Sequence, residues 1–163
     1  MKVLFLDIDG VMIPSPETYN ETYNDSPNIE TSFGFFPSFS EESVTALNDI
    51  HFFTEIKIVI SSDWTVTMIN SLSNMISLFR LNRIIPEVIG FTTKIRSSNL
   101  DSLEIIRESE ISRWVDTHRP ESWVAVDDLD LSGLDPNFVH CIDTIKGISD
   151  ETVKLSILQK LKY

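Results

Sequence analysis

Residues 1–11 read MKVLFLDIDGV. Val3, Leu4, Phe5 and Leu6 form an apolar run, and Asp7, Asp9 and Gly10 close it. A short, unbroken run of β-branched, aromatic and aliphatic residues suits a strand buried on both faces. It predicts a strand over residues 2–8. Two carboxylates and a glycine at the end of such a strand have two readings. Either the strand runs out into a polar turn, or it presents the carboxylates to a ligand.

The same apolar signature returns at 56–60 (IKIVI), 122–126 (SWVAV) and 138–142 (FVHCI), and more weakly at 87–91 (EVIGF). Helical patterns lie between these runs. Ser40 can cap a helix whose first turn holds Glu41 and Glu42 and whose apolar positions are Val44, Leu47 and Ile50. A second helix is predicted over 65–79, with Met68, Leu72, Met75, Ile76 and Phe79 on one stripe. A third covers 101–117, with Leu103, Ile106, Ile111, Trp114 and Val115. A last helix starts at Ser149, and its core side is Val153, Leu155, Ile157, Leu158 and Leu161. Strands alternating with helices predict an α/β three-layer sandwich around a central parallel sheet, as one domain over residues 1–163. In such sheets ligands bind at the carboxyl ends of the strands.

Composition narrows the function. There are 25 acidic and 13 basic side chains, a formal net charge of −12. So negative a surface repels a phosphate backbone, which argues against stable nucleic-acid binding. A small pocket neutralised by a metal ion remains compatible. Cys141 is the only cysteine, which excludes an internal disulfide and fits a reducing cytoplasm. The apolar run at 3–6 is too short for a signal-peptide core, and no stretch approaches a membrane span, so a soluble cytoplasmic protein is expected.

The predicted strand ends carry chemistry. The first ends at Asp7 and Asp9, the second at Ser61 with Ser62 and Asp63 behind it, and the strand at 122–126 at Asp127 and Asp128. Arg107 lies one helix and a short loop before Asp127; Lys94, in the turn-like TTKIR with Arg96, is the alternative base. A carboxylate can attack phosphorus. A second acid can protonate the leaving oxygen and then activate water. Carboxylates from different strands suit Mg²⁺, a hard ion that prefers oxygen ligands. A hydroxyl and a cationic side chain can hold the remaining phosphate oxygens.

This ordered set resembles the haloacid dehalogenase-like (HAD) hydrolase superfamily. The stretches LFLDIDGV, IVISSDW, EISRWV and AVDD look most like the small HAD domains of the Swiss Army knife RNA-repair type. The resemblance implies a HAD-type Rossmann-like fold without a large cap domain. It implies Asp7 as nucleophile and metal ligand, and Asp9 as general acid and base with its backbone carbonyl on the metal. Gly10 would permit the tight turn after the pair. Ser61, or Ser62 in the alternative register, and Arg107 would bind the phosphoryl group. Asp127 and Asp128 would complete the Mg²⁺ site, in an order the sequence leaves open. The presence of Asp9 points to phosphate esters, because dehalogenases of the superfamily lack that second aspartate. The implied activity is an Mg²⁺-dependent phosphatase acting on a phosphorylated small molecule or a nucleic-acid end. A phosphotransferase of the same fold and a non-catalytic phosphate-binding module are the alternatives. Relatives often carry Arg after the Trp of the second motif, whereas Thr65 stands here.

Some residues read as structural. Asp63 reads as a helix cap, Asp130 as a surface loop residue, and Trp64, Trp114 and Trp123 as core or pocket wall. His51, His118 and His140 lack metal-ligand spacing. The stretch 12–39 is rich in Pro, Ser, Thr and Asn, repeats TYN, and carries Tyr19, Tyr23, Phe33, Phe35, Phe36 and Phe39. So long a connection directly after the aspartate pair is expected to be a lid loop.

Overall fold

The strand at the head of the chain becomes the middle of a parallel sheet. The computed structural model describes residues 1–15, 28–95 and 102–161. In chain order, β1 is Lys2–Leu6, β2 Asn28–Thr31, β3 Gly34–Pro37, α1 Glu41–Thr54 and β4 Lys57–Ile60. Then come α2 Trp64–Thr67, α3 Leu72–Leu81, β5 Val88–Phe91, α4 Leu103–His118, β6 Ser122–Asp127, β7 Phe138–His140 and α5 Glu151–Leu161. Short 3₁₀ turns at Ser132–Leu134 and Gly147–Ser149 flank β7. The main sheet has the order β5-β4-β1-β6-β7, every pair parallel, and β2 and β3 form a separate antiparallel hairpin.

The alternation of side chains along the central strands divides the core in two. Leu4, Leu6, Ile58, Ile60, Val124 and Val126 face one layer, which includes Leu47 and Ile50 of α1 and Ile157 and Leu161 of α5. Val3, Phe5, Val59 and Ala125 face the other, against Ile111 and Trp114 of α4. Phe5 meets Trp114 and Trp123 edge-on at 5.3 and 5.7 Å. Both faces being covered explains why these strands are apolar throughout rather than alternating. The architecture is the expected three-layer α/β sandwich with a Rossmann-like parallel sheet. Among the described residues there is no large cap.

Several expectations need correction. The helix expected over 65–79 is two helices, α2 and α3, with a break at 68–71. Ser71 restarts the helix by accepting the Asn74 amide, and Ile69 is buried in place of Met68, which is 44% exposed. The last helix begins at Glu151, and its first turn is held by Asp150, which accepts the Thr152 amide at 2.8 Å, not by Ser149. Leu155 lies two residues from both Val153 and Ile157, so it points away from the core and is exposed. Strand β7 stops at His140, although the Cys141 amide still bonds to Asp127 O at 2.9 Å.

The connection after β1 is only partly loop. Its later part, from Asn28 to Pro37, is the β2–β3 hairpin. Phe36 and Phe39 are buried, while Phe35 is 71% exposed. Tyr19, Tyr23 and Arg96 lie outside the described residues.

Candidate active site

The site starts where β1 stops. Asp7 keeps its amide in the sheet, bonded to Val126 O at 3.1 Å, and is buried. The chain then turns sharply: Ile8 O accepts the amides of Val11, Met12 and Ile13. Gly10 sits at φ 70° in this turn. A Cβ there would lie 2.8–2.9 Å from Asp128 side-chain atoms. Glycine therefore meets two needs, a left-handed backbone and room for Asp128. Gly147 clamps the turn from outside, and Ile148 donates its amide to Val11 O at 3.0 Å.

Strand β6 delivers the second group. Asp127 is fully buried; Oδ1 accepts the Leu129 amide at 3.0 Å, and Oδ2 receives Arg107 Nη1 at 2.7 Å. One carboxylate oxygen from each of Asp7, Asp127 and Asp128 falls within 4.8 Å of the others. His140 Nε2 lies 2.9 Å from Asp128 O, holding the start of the next loop.

Helix α4 brings the cation. Arg107 is buried on the face toward the sheet, with Nη1 also 3.2 Å from Asp7 Oδ1 and Nη2 3.6 Å from Asp63 Oδ1. Lys94, the alternative base, reaches the same Asp63 oxygen at 2.9 Å and the buried Glu110 Oε2 at 3.1 Å. The structure thus brings both bases to the site edge, with Arg107 alone of the two paired to Asp7. Asp63 is not the expected side-chain cap of α2; its carboxylate is drawn to Lys94 and Arg107 instead. Ser61 and Ser62 are both buried at the end of β4. The Ser61 amide bonds to Leu6 O at 3.0 Å, whereas the Ser62 hydroxyl bonds to the Asp7 carboxylate and accepts the Trp64 amide.

Asp9 is half-buried; it is not one of the three clustered acids, but its charge still reaches Asp128. Asp9 Oδ2 accepts the indole Nε1–H of Trp64 at 2.9 Å.

Electrostatics follow from this crowding. Burial and the negative charge of Asp127 push Asp7 up to about 8, against the pull of Arg107. Burial pushes Asp127 up to about 6, again against Arg107. Burial also raises Asp128. Burial tends to lower Arg107, but the carboxylates of Asp7, Asp127 and Asp63 outweigh it and raise the guanidinium further. Both Asp7 and its cationic partner thus move upward. One guanidinium cannot neutralise three clustered carboxylates, so ionising all three is disfavoured without further positive charge. Hard oxygen donors that need such charge fit a divalent cation such as Mg²⁺. Asp7, Asp127 and Asp128 are the residues that could hold it.

Two participants escaped the sequence reading. Trp64 reads as core or pocket wall, and the bond from its indole to Asp9 is what that reading lacks; the available signal was that a buried indole N–H usually finds an acceptor. Glu110 is buried beside Lys94, one helical turn after Arg107, and an acid on the inner face of α4 was the signal. A cleft of about 870 Å³ is lined by residues that include Phe39, Val44, Asn48 and Arg83, and none of the site carboxylates lines it.

A family model described as the HAD domain in Swiss Army Knife RNA repair proteins matches residues 3–153. No curated protein matches the sequence. Among the described residues, no helix is long and apolar enough to cross a membrane.

Proposed function

The chain belongs to this HAD domain family, and on that premise we propose that it is an Mg²⁺-dependent phosphomonoester hydrolase working through an aspartyl-phosphate. One observation carries the reading. Asp7 meets Asp127, Asp128 and Arg107 at the carboxyl ends of β1 and β6, while the Asp9 carboxylate accepts the Trp64 indole N–H. Two acids of one motif are thereby given different surroundings, which suits them to different tasks.

Asp7 attacks phosphorus with a carboxylate oxygen. A new P–O bond forms, and the bond to the alcohol oxygen breaks. Asp9 gives its proton to that departing oxygen. Asp9, now a carboxylate, takes a proton from water as the water attacks phosphorus. The bond to Asp7 breaks and inorganic phosphate leaves. Arg107 draws phosphate oxygens by charge, and Ser61 or Ser62 offers a hydroxyl to the same group. Asp7, Asp127 and Asp128 would hold Mg²⁺, with the Asp9 main-chain carbonyl as a further donor. When bound, such an ion supplies the positive charge that lets an anionic carboxylate approach an anionic phosphate.

The RNA-repair context of the family favours a nucleic-acid end as substrate over a free sugar phosphate. A net charge of −12 gives no general grip on a polynucleotide backbone, so recognition would concentrate on the terminal phosphate. The free buried Cys141 fits a reducing, cytoplasmic setting. The test is a panel of oligonucleotides with 5′-phosphate, 3′-phosphate and 2′,3′-cyclic phosphate ends, beside small phosphomonoesters, each with Mg²⁺ and with EDTA. Mg²⁺-dependent release of phosphate, lost in Asp7→Asn, is expected. Turnover equal in wild type and Asp7→Asn overturns the nucleophile assignment. No turnover on any member overturns the hydrolase reading.

A further inference from the structure

Trp64 opens α2 directly behind the second strand-end motif, and its side chain does not simply fill space. It is 3% exposed. Its ring lies 6.3 Å from Phe36 on the β2–β3 hairpin and 6.5 Å from Phe39. Phe39 in turn packs edge-on against Phe79 of α3 at 5.2 Å. This aromatic setting aims one polar atom, the indole Nε1–H, at Asp9 Oδ2, 2.9 Å away.

An indole nitrogen donates and cannot accept. Asp9 Oδ2 must therefore be the accepting oxygen. When Asp9 is the acid, its carbonyl oxygen is the better acceptor, so the indole bond to Oδ2 favours the transferable proton on Oδ1. When Asp9 is a carboxylate, the indole bond still holds Oδ2 and leaves the plane of the group unchanged. Both states of one catalytic cycle are then served by one orientation. From this geometry we infer that Trp64 is a positioning residue: it orients Asp9 so that Oδ1 addresses the leaving oxygen and then the water. The hairpin takes part through Phe36, because the ring it braces is the one that aims the bond. This rests on the phosphohydrolase reading of Asp7 and Asp9 and adds to it a residue, a chosen oxygen and a role for the hairpin.

The proton transfer balances without further reactants. Asp9 Oδ1–H passes its proton to the alcohol oxygen as the P–O bond breaks, and the bonding pair goes to that oxygen. The indole keeps its own proton throughout.

The test separates orientation from packing. Trp64→Phe keeps an aromatic ring in the cluster and removes the N–H. Replacing Trp64 with benzothienylalanine keeps the bicyclic shape and also removes the N–H, which covers the case in which Trp64→Phe folds poorly. Each is compared with wild type on p-nitrophenyl phosphate, whose leaving group departs readily, and on an alkyl phosphomonoester, whose leaving group needs a proton. The ratio kcat/KM reports steps up to departure of that group. For the alkyl ester it should fall roughly 10- to 100-fold, the scale of a misplaced catalytic group. For p-nitrophenyl phosphate it should change much less, with KM near that of wild type. In ¹H–¹⁵N spectra, Asp9→Ala should shift the Trp64 indole signal and speed its exchange with solvent. Equal losses on both esters, no loss on either, or an unmoved indole signal each overturns the inference. In the first two cases Asp7→Asn still decides the phosphohydrolase reading by itself. A wild type inactive on both esters removes that reading and this one together.

Discussion

Arg107 Nη1 lies 2.7 Å from Asp127 Oδ2, and the two side chains are 6% and 1% exposed. This buried pair ties the middle of α4 to the end of β6, and Asp7 joins it through the same nitrogen at 3.2 Å. The cation that would meet a phosphate is thus also what makes the acid cluster tolerable within the fold.

Removing the guanidinium should expose that dependence. Arg107→Ala leaves Asp7 and Asp127 buried without their counter-charge. Breaking a buried pair from one side typically costs about 3–5 kcal/mol. Urea unfolding in EDTA measures it, and a loss below about 1 kcal/mol, the scale of an exposed pair, contradicts the assignment.

Arg107 and Lys94 should separate kinetically. Arg107 touches Asp7, whereas Lys94 reaches only Asp63 and Glu110 among the described carboxylates. Arg107→Lys should lower kcat/KM by about 100-fold, the scale of one lost transition-state contact. Lys94→Met should lower it by less than about tenfold. The reverse order would make Lys94 the basic motif residue.

The acid cluster sets a pH dependence whose sign can be stated. In the folded, ion-free protein Asp7 is pushed up to about 8 and Asp127 to about 6, from an ordinary value of 3.8. Within that window the folded state holds protons that the unfolded chain has released. Stability from these groups is full below the ordinary value and is lost as pH rises through the folded values. Thermal melts in EDTA should therefore show Tm falling across this window. Protons and a cation compete for the same oxygens, so the Tm gain from Mg²⁺ should grow with pH. A gain that is flat or shrinks as pH rises contradicts the proposed cation site.

Gly10→Ala should damage the site more than the fold. At φ 70° an added Cβ meets Asp128 atoms at 2.8–2.9 Å. The left-handed backbone alone costs about 1–2 kcal/mol. Displacing Asp128 should weaken Mg²⁺-dependent stabilisation as well. Calorimetry with and without Mg²⁺ checks both, and an unchanged Mg²⁺ response shows that Asp128 is not a ligand.

Much of this was legible in the chain, for a definite reason. Leu4 and Leu6 serve one core layer and Val3 and Phe5 the other, so β1 reads as a continuous apolar run. The strand-end rule then singled out Asp7, Ser61 and Asp127. Partners distant in sequence were harder. Asp63 looked like a cap because its helix neighbours are visible in sequence, while Lys94, 31 residues on, is not. Trp64 and Asp9 are 55 residues apart and meet only when α2 folds over the end of β1. The break between α2 and α3 was hidden because Met68 and Leu72 preserve the helical period across it, although both point outward.

The most direct measurement traps the covalent intermediate. Enzyme quenched during turnover with Mg²⁺ and a phosphomonoester, then reduced with borohydride, should carry homoserine at position 7, the reduction product of an acyl phosphate. Asp7→Asn should show neither the trapped product nor turnover. Undiminished turnover by Asp7→Asn, or a covalent phosphate trapped on another residue, would contradict the account.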